Sequence, residues 1–274
     1  MHAVAIALLG LAACGRLGFD TRGDGGTTAS GKVDAAAVGS ADAGIAIDAP
    51  LGAGSYTLTD GTAPYVNLSG AVVPGFAVLA DDENYTMTLP FTFVFYGISY
   101  TTVTISMNGY LTFDTPVTGA ETENNDCPLD ATPPGATIAV FWDDLYANNT
   151  APSTGALSYL AAGAAPDRTW AVEWRDMDAY YPAGNNSFTQ GSRVTHEVVL
   201  HETGTIEMRY GPRTAPLYPN KDCGADRHRG CSATVGLEAS GSKIFNNVQC
   251  GTSAGPGPGY TPIDEGRMFT FVPN

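Results

Sequence analysis

The chain has 274 residues, 33 of them Gly and 18 Pro, and only 15% are charged. That composition belongs to a turn-rich extracellular protein of one domain, or of one domain with a tail, and it leaves enough apolar content for a sizeable core. The formal net charge of −15, with only 13 Lys and Arg, argues against a nucleic-acid partner, because binding phosphates requires a basic face that releases counterions. Residues 15–54 hold five acids and three bases, so most of the acidity belongs to the part after residue 54, with 23 acids and 10 bases.

At the N-terminus, the apolar run over residues 3–13 is far shorter than the ~20 residues needed to span a bilayer. It ends in Leu11-Ala12-Ala13-Cys14, which resembles the signal of a bacterial lipoprotein, although Met1-His2 ahead of it carries no Lys or Arg. The resemblance implies cleavage before Cys14, a diacylglyceryl thioether on Cys14 and an acylated amine. More than one acyl chain is what stable membrane attachment needs. Gly15 in place of Asp looks like the outer-membrane sorting class, so the expected location is a lipid anchor at the outer membrane, or the cell surface. Residues 1–13 are expected to form the signal peptide. Residues 14–54, poor in aromatics and rich in Gly, Ala, Asp and Ser, are expected to be the lipidated start and a flexible tether, since they cannot bury enough apolar surface to offset their ordering entropy. The triplet Arg22-Gly23-Asp24 lies in this tether and carries no weight as an adhesion motif.

From residue 55 the pattern changes to short stretches rich in Tyr, Thr, Val and Phe between Gly, Pro, Asn and Asp, which predicts an all-β domain over residues 55–274. Tyr85-Thr86-Met87-Thr88-Leu89 alternates. After Pro90, the period of two in Phe91-Thr92-Phe93-Val94-Phe95 puts the three phenylalanines on one buried face. A strand over residues 100–107 meets Asn108-Gly109, expected to be a tight hairpin turn of two positive-φ residues, and Tyr110-Leu111-Thr112-Phe113 returns. Further strands are expected over residues 137–142, 156–161, 169–176, 193–201, 205–210, 233–238 and 268–272. Glu202-Thr203-Gly204 is expected to join two of them in a hairpin that pairs Val198 and Leu200 with Ile206 and Met208. Roughly ten or more short strands fit an antiparallel β-sandwich. Residues 161–167 and 180–190 read as exposed loops.

The order of motifs carries more than any one of them. Leu89-Pro90-Phe91-Thr92-Phe93, Phe95-Tyr96-Gly97, Ser106-Met107-Asn108-Gly109 and Ile138-Ala139-Val140-Phe141-Trp142-Asp143-Asp144 come first. Trp170-Ala171-Val172-Glu173-Trp174, Val198 to Glu207 and Ala233-Thr234-Val235-Gly236-Leu237-Glu238 follow. Together they resemble the nidogen-like extracellular domain over residues 55–273. The resemblance implies an accessory β-module of secreted or anchored proteins, with no catalytic residues to carry over.

With Cys14 committed to lipid, Cys127, Cys223, Cys231 and Cys250 remain, an even number that fits two disulfides in any of three connectivities. The pairing expected is Cys223 with Cys231 across a short loop, and Cys127 with Cys250. A zinc site lacks any C-x-x-C pair. His196 and His201, five apart on one strand, point to opposite faces and cannot share a site, and no G-x-S-x-G marks a catalytic serine. The acids Asp81-Asp82-Glu83 read as a solvated turn. Asp143 and Asp144 are the candidate calcium ligands, against the alternative that a strand-end acid caps backbone amides. Tyr180, Tyr181, Tyr210 and Tyr218 lie in or beside loops, where they cover the ends of the sandwich or contact a ligand. Trp142, Trp170 and Trp174 are expected in the core. The reading is a non-enzymatic, lipid-anchored envelope or surface module that binds a protein or glycan. Its alternatives are a secreted hydrolase with an unrecognised site and a purely structural envelope component.

Overall fold

The computed structural model describes residues 54–77, 80–118, 125, 129, 134–148, 154–179, 192–216, 223, 226–241, 245–252, 255–257 and 259–274. The chain divides into residues 1–43 and 44–274, and all described residues belong to the second unit. Among them every regular element except one turn of 3-10 helix is a strand.

One antiparallel sheet contains β1 (Tyr56–Thr62), β2 (Ala71–Val72), β8 (Ala156–Ala162), β9 (Thr169–Ala179), β10 (Arg193–His201), β11 (Ile206–Thr214) and β16 (Arg267–Pro273), in the order β1-β16-β11-β10-β9-β8-β2; β7 (Leu145–Tyr146) pairs with β9 beside this path. The second sheet has the order β13-β12-β6-β5-β4-β3, formed by β3 (Asn84–Phe95), β4 (Ile98–Ser106), β5 (Tyr110–Thr112), β6 (Thr137–Trp142), β12 (Thr234–Glu238) and β13 (Phe245–Gln249). A small ribbon pairs β14 (Gly251–Thr252) with β15 (Gly255–Pro256). The antiparallel β-sandwich expected from the alternation is present. Strands β1 and β13 were not singled out in the sequence, where β1 is mostly Thr, Asp and Gly and β13 mostly Asn and Gln.

Alternation decides what faces inward. Phe91, Phe93 and Phe95 are buried while Thr92 and Val94 are exposed, and from the facing sheet Trp170, Val172 and Trp174 enter the same cluster with Val198, Leu200, Ile206 and Met208. The expected pairs Val198 with Met208 and Leu200 with Ile206 are both formed. Strand β3 runs through Pro90 without breaking, because β3 lies at the sheet edge, where a missing N–H costs no ladder bond.

Two departures from the expected pattern have local causes. The β4–β5 hairpin pairs Ser106 with Tyr110, which leaves a three-residue loop, and only Gly109 takes positive φ (80°) there. A Cβ on Gly109 would lie 2.2 Å from the Phe141 carbonyl oxygen, so the position is closed to other residues. That carbonyl approach belongs to a bulge: the N–H groups of Val140 and Phe141 both donate to the Gly109 carbonyl, at 3.1 and 3.0 Å. The bulge keeps Phe141 facing the main core and turns Trp142 to the opposite face, where it packs on Tyr110 with Leu129 and Ala139 in a second, smaller core. Trp142 is thus buried as expected, but outside the sandwich interior.

His196 occupies an inward position on β10, fully buried and stacked between Trp174 and Phe141 with ring centroids at 5.1 and 5.5 Å. Neither ring nitrogen meets a hydrogen-bond partner among the described residues. Burial first, and the Arg213 guanidinium second, hold its pKa well below the ordinary 6.5. The unfolded chain therefore takes up a proton near pH 6.5 that the folded chain refuses, and stability falls as pH drops below that value. Replacing His196→Phe keeps the stacked ring and removes the proton site; between pH 6.5 and 5 the acid limb should flatten by about 1 kcal/mol per pH unit in denaturant titrations.

Candidate functional site

The outward side of the eight-stranded sheet carries a groove roofed by a segment of the chain. Cross-strand register arranges its side chains in rows. Ser158, Glu173, Glu197 and Arg209 form one row, and Leu160, Ala171, Val199 and Glu207 form the next; Ala162, Thr169 and His201 form a third. Residues 63–70, the segment joining β1 to β2, pass over the first row as a strap. The ring of Tyr65 rests where Gly211 has no side chain, since a Cβ there would lie 2.8 Å from it.

Strap and row are tied by Glu173, which is fully buried. Its Oε1 accepts the Tyr65 hydroxyl and, at 3.1 Å, the Leu68 N–H, while its Oε2 accepts the Ser158 hydroxyl at 3.2 Å. Arg175 stands 3.9 Å from the same carboxylate. Burial and the Glu173 carboxylate push the Tyr65 phenol well above its usual range, so Tyr65 keeps the proton it donates to Glu173.

Glu197 lies directly opposite Glu173 and is 2% exposed. Arg209 donates to its Oε1 at 3.1 Å, and Oε2 meets no hydrogen-bond donor among the described residues. Burial raises its pKa to about 7, against the lowering effect of Arg209 and with a further push from Glu173. Glu207 goes the other way: bonding to His201 and the charge of Arg209, against some desolvation, lower it to about 2. Arg209 is shared between Glu197 and Glu207. Beside Glu197 the strap and strands form a groove of about 260 Å³, whose apolar lining includes Leu68, Leu160, Ala171 and Val199 and whose polar lining includes His201 and Arg209.

The acids singled out in the sequence have other duties. Asp143 is buried; Arg227 donates to its Oδ1 at 2.9 Å and Ser232 to its Oδ2 at 2.6 Å, and its Oδ1 also accepts the Asp144 N–H. This is the amide-capping alternative with an ion pair added, and a calcium ion at Asp143 would have to displace Arg227 from a site where its charge is matched. Among the described residues Asp143 and Asp144 join no group of three or more metal-ligating side chains. Asp82 receives the Asn108 side-chain amide at 2.9 Å. Tyr210 is a core residue of β11 whose hydroxyl donates to the Val140 carbonyl at 2.8 Å, so the expectation of a loop tyrosine is corrected. Residues Cys14, Arg22-Gly23-Asp24, Tyr180, Tyr181 and Tyr218 lie outside the described residues.

His196 and His201 are on opposite faces, as their spacing requires. Glu173, Glu197, Arg209 and Tyr65 were missed. The signal was present in the correctly read hairpin, because pairing Val198 with Met208 necessarily sets Glu197 against Arg209.

The Cys223–Cys231 disulfide is formed. Its loop contains a 3-10 turn, Arg227–Arg229, whose residues reach outward: Arg227 donates to Asp143, the His228 carbonyl accepts from Arg213 at 2.6 Å, Arg229 donates to Asp264 at 2.7 and 3.0 Å, and its carbonyl accepts the Ile263 N–H at 3.0 Å. Cys250 is also disulfide-bonded. Cys127 lies outside the described residues, but its neighbour Asn125 donates to the Gly251 carbonyl at 2.8 Å and Leu129 donates to Asn247 Oδ1 at 3.2 Å, one on each side of Cys250 in sequence.

These features define a disulfide-bonded, all-β sandwich module with a largely apolar groove on one sheet, into which Glu197, His201 and Arg209 bring charge and polarity. The chain belongs to the NIDO-related family, whose description, "NIDO related", matches residues 55–273. No curated protein and no solved structure matches the chain.

Two outcomes follow. Glu197→Gln removes a carboxyl group that the folded protein keeps protonated up to about pH 7 while the unfolded chain ionises near 4.5. The native residue's contribution is intact below 4.5 and lost as pH rises to about 7, so the variant should gain on the order of 1–3 kcal/mol at pH 8 and nothing at pH 4 in denaturant titrations. Proteolysis without reduction, followed by mass spectrometry, should recover a peptide joining Cys127 to Cys250 and another joining Cys223 to Cys231.

Proposed function

We propose that this protein is a non-catalytic binding module, exported and held at the outer membrane or cell surface by lipid on Cys14, whose NIDO-related sandwich engages a protein or glycan partner. The groove on the outer side of the eight-stranded sheet carries the reading. Its apolar row and its buried, half-satisfied Glu197 are sheltered by a strap that the sheet itself secures through Glu173. Arg209 occupies only Oε1 of Glu197, so the carboxylate keeps a second oxygen suited to receiving a donor.

A hydrolytic reading would need Glu173 and Glu197 to flank a scissile bond, as paired carboxylates do in glycosidases. Glu173 is engaged on both oxygens by Tyr65, Leu68 and Ser158, and so it has no lone acid function to offer a substrate. The disulfide and the family fit an extracellular setting. No helix among the described residues is long and apolar enough to cross a membrane, and attachment is assigned to Cys14.

Replacing Cys14→Ser should move the protein from the membrane pellet to the soluble fraction, with the melting temperature unchanged. The full chain, immobilised, should retain an envelope component that Val199→Lys, which fills the groove, releases. A variant still fully membrane-bound sinks the anchor, and turnover of a glycoside or ester lost on Glu197→Gln sinks the non-catalytic reading.

A further inference from the structure

The groove has a direction. Its apolar row, Leu160, Ala171 and Val199, lies two residues along the strands from the row holding Glu173 and Glu197. Two residues of strand are about 6.6–6.8 Å, close to the reach of a four-methylene arm. Such an arm, laid on the apolar row, ends beside Glu197. Lysine side chains behave in this way, burying the stem along apolar surface and presenting the ammonium to a polar group.

Charge points to the same occupant. Around the polar end stand Glu173 and Arg175 on β9, Glu197 and His201 on β10, Glu207 and Arg209 on β11, and the Tyr65 hydroxyl from the strap. Arg209 is divided between two carboxylates, Arg175 reaches only Glu173, and Glu197 Oε2 has no donor among the described residues. An added cation at Oε2 satisfies a carboxylate oxygen to which no described residue donates, and it does so on a chain whose formal net charge is −15. A neutral hydroxyl would fill the hydrogen bond but leave like charges opposed across β9 and β10, an arrangement that costs stability.

We propose that the groove takes the side chain of a lysine presented by a basic partner protein, with its methylenes on Leu160, Ala171 and Val199 and its ammonium on Oε2 of Glu197. The proposal rests on the binding-module reading and names the partner's chemistry. Because the ammonium stays charged to about pH 10 while Glu197 loses its proton near pH 7, occupancy strengthens as Glu197 ionises.

The test uses the full chain and two small probes, n-butylammonium and n-butanol, with binding followed by NMR titration. At pH 8, n-butylammonium should saturate the groove and n-butanol should bind at least about tenfold more weakly, the factor that roughly 1.4 kcal/mol of charge-assisted bonding supplies. Below pH 7 affinity for the ammonium should fall by up to about tenfold per pH unit, the limit for one linked proton. Glu197→Gln, expected to fold at least as stably, should lose about tenfold or more at pH 8 and abolish the pH dependence. Equal binding of the two probes, indifference to Glu197→Gln, or no saturable binding of the ammonium at pH 8 overturns the proposal. If any of these occurs while the full chain still retains a partner that Val199→Lys releases, the lysine assignment fails and the binding-module reading stands.

Discussion

The register of β10 against both neighbours is the constraint on which the rest of this domain depends. With Val198 set against Val172 and Met208, every second residue of β10 meets the aromatic core and the others meet the groove row. A slip of one residue would carry His201, Glu197 and Thr195 into the interior and expel Leu200 and Val198. Opposite the single residue between Val194 and His196, each neighbouring strand carries one extra residue, between Trp174 and Met177 in β9, where Asp176 takes φ 52°, and between Tyr210 and Arg213 in β11, where Gly211 lies. That irregularity serves the site directly, because Gly211 is where the Tyr65 ring lies.

Much of this was legible because period-two alternation is a strong physical signal where one face is dry. The Phe91, Phe93, Phe95 run and the Trp170, Val172, Trp174 run both behave as their spacing requires. Trp142 was harder: a bulge made by two N–H groups sharing one carbonyl reverses the alternation after Phe141, and no residue in Val140-Phe141-Trp142 announces it. The groove illustrates a different limit. Glu173 and Glu197 occupy polar positions of amphipathic strands, where acids are usually solvated. Only the strap, whose Tyr65 and Leu68 are 108 and 105 residues from Glu173 in sequence, turns those positions into an interior. Within the acidic pair that looked most like a site, Asp143-Asp144, it is Asp143 that seats Arg227.

The burial of charge follows one logic across the molecule. Arg227 is matched by Asp143. Arg213, buried against Phe141 and Tyr210, is lowered to about 10 by desolvation and keeps a carbonyl partner in His228. Both guanidiniums hold the Cys223–Cys231 loop against the sandwich, so the crosslink and the ion pairs constrain the same few residues. Compensation is partial at several of these groups: Nε and Nη2 of Arg213 and Nε of Arg227 meet no hydrogen-bond partner among the described residues, and Glu197 is paired with Arg209 through Oε1.

The pairing of β1 with β16 also has a mechanical side. Seven successive residues, from Tyr56 opposite Pro273 to Thr62 opposite Arg267, align the two strands, and Ser55 is further bound to Asn274 through the backbone and both side chains. A pull transmitted along the chain to Ser55 would run parallel to these strands. The ladder's bonds would then share the load in shear instead of opening one at a time, and the strap that roofs the groove begins only beyond the last of them. A load applied at Ser55 would therefore be met along β1 before it reached Tyr65, leaving the strap and the row beneath it undisturbed.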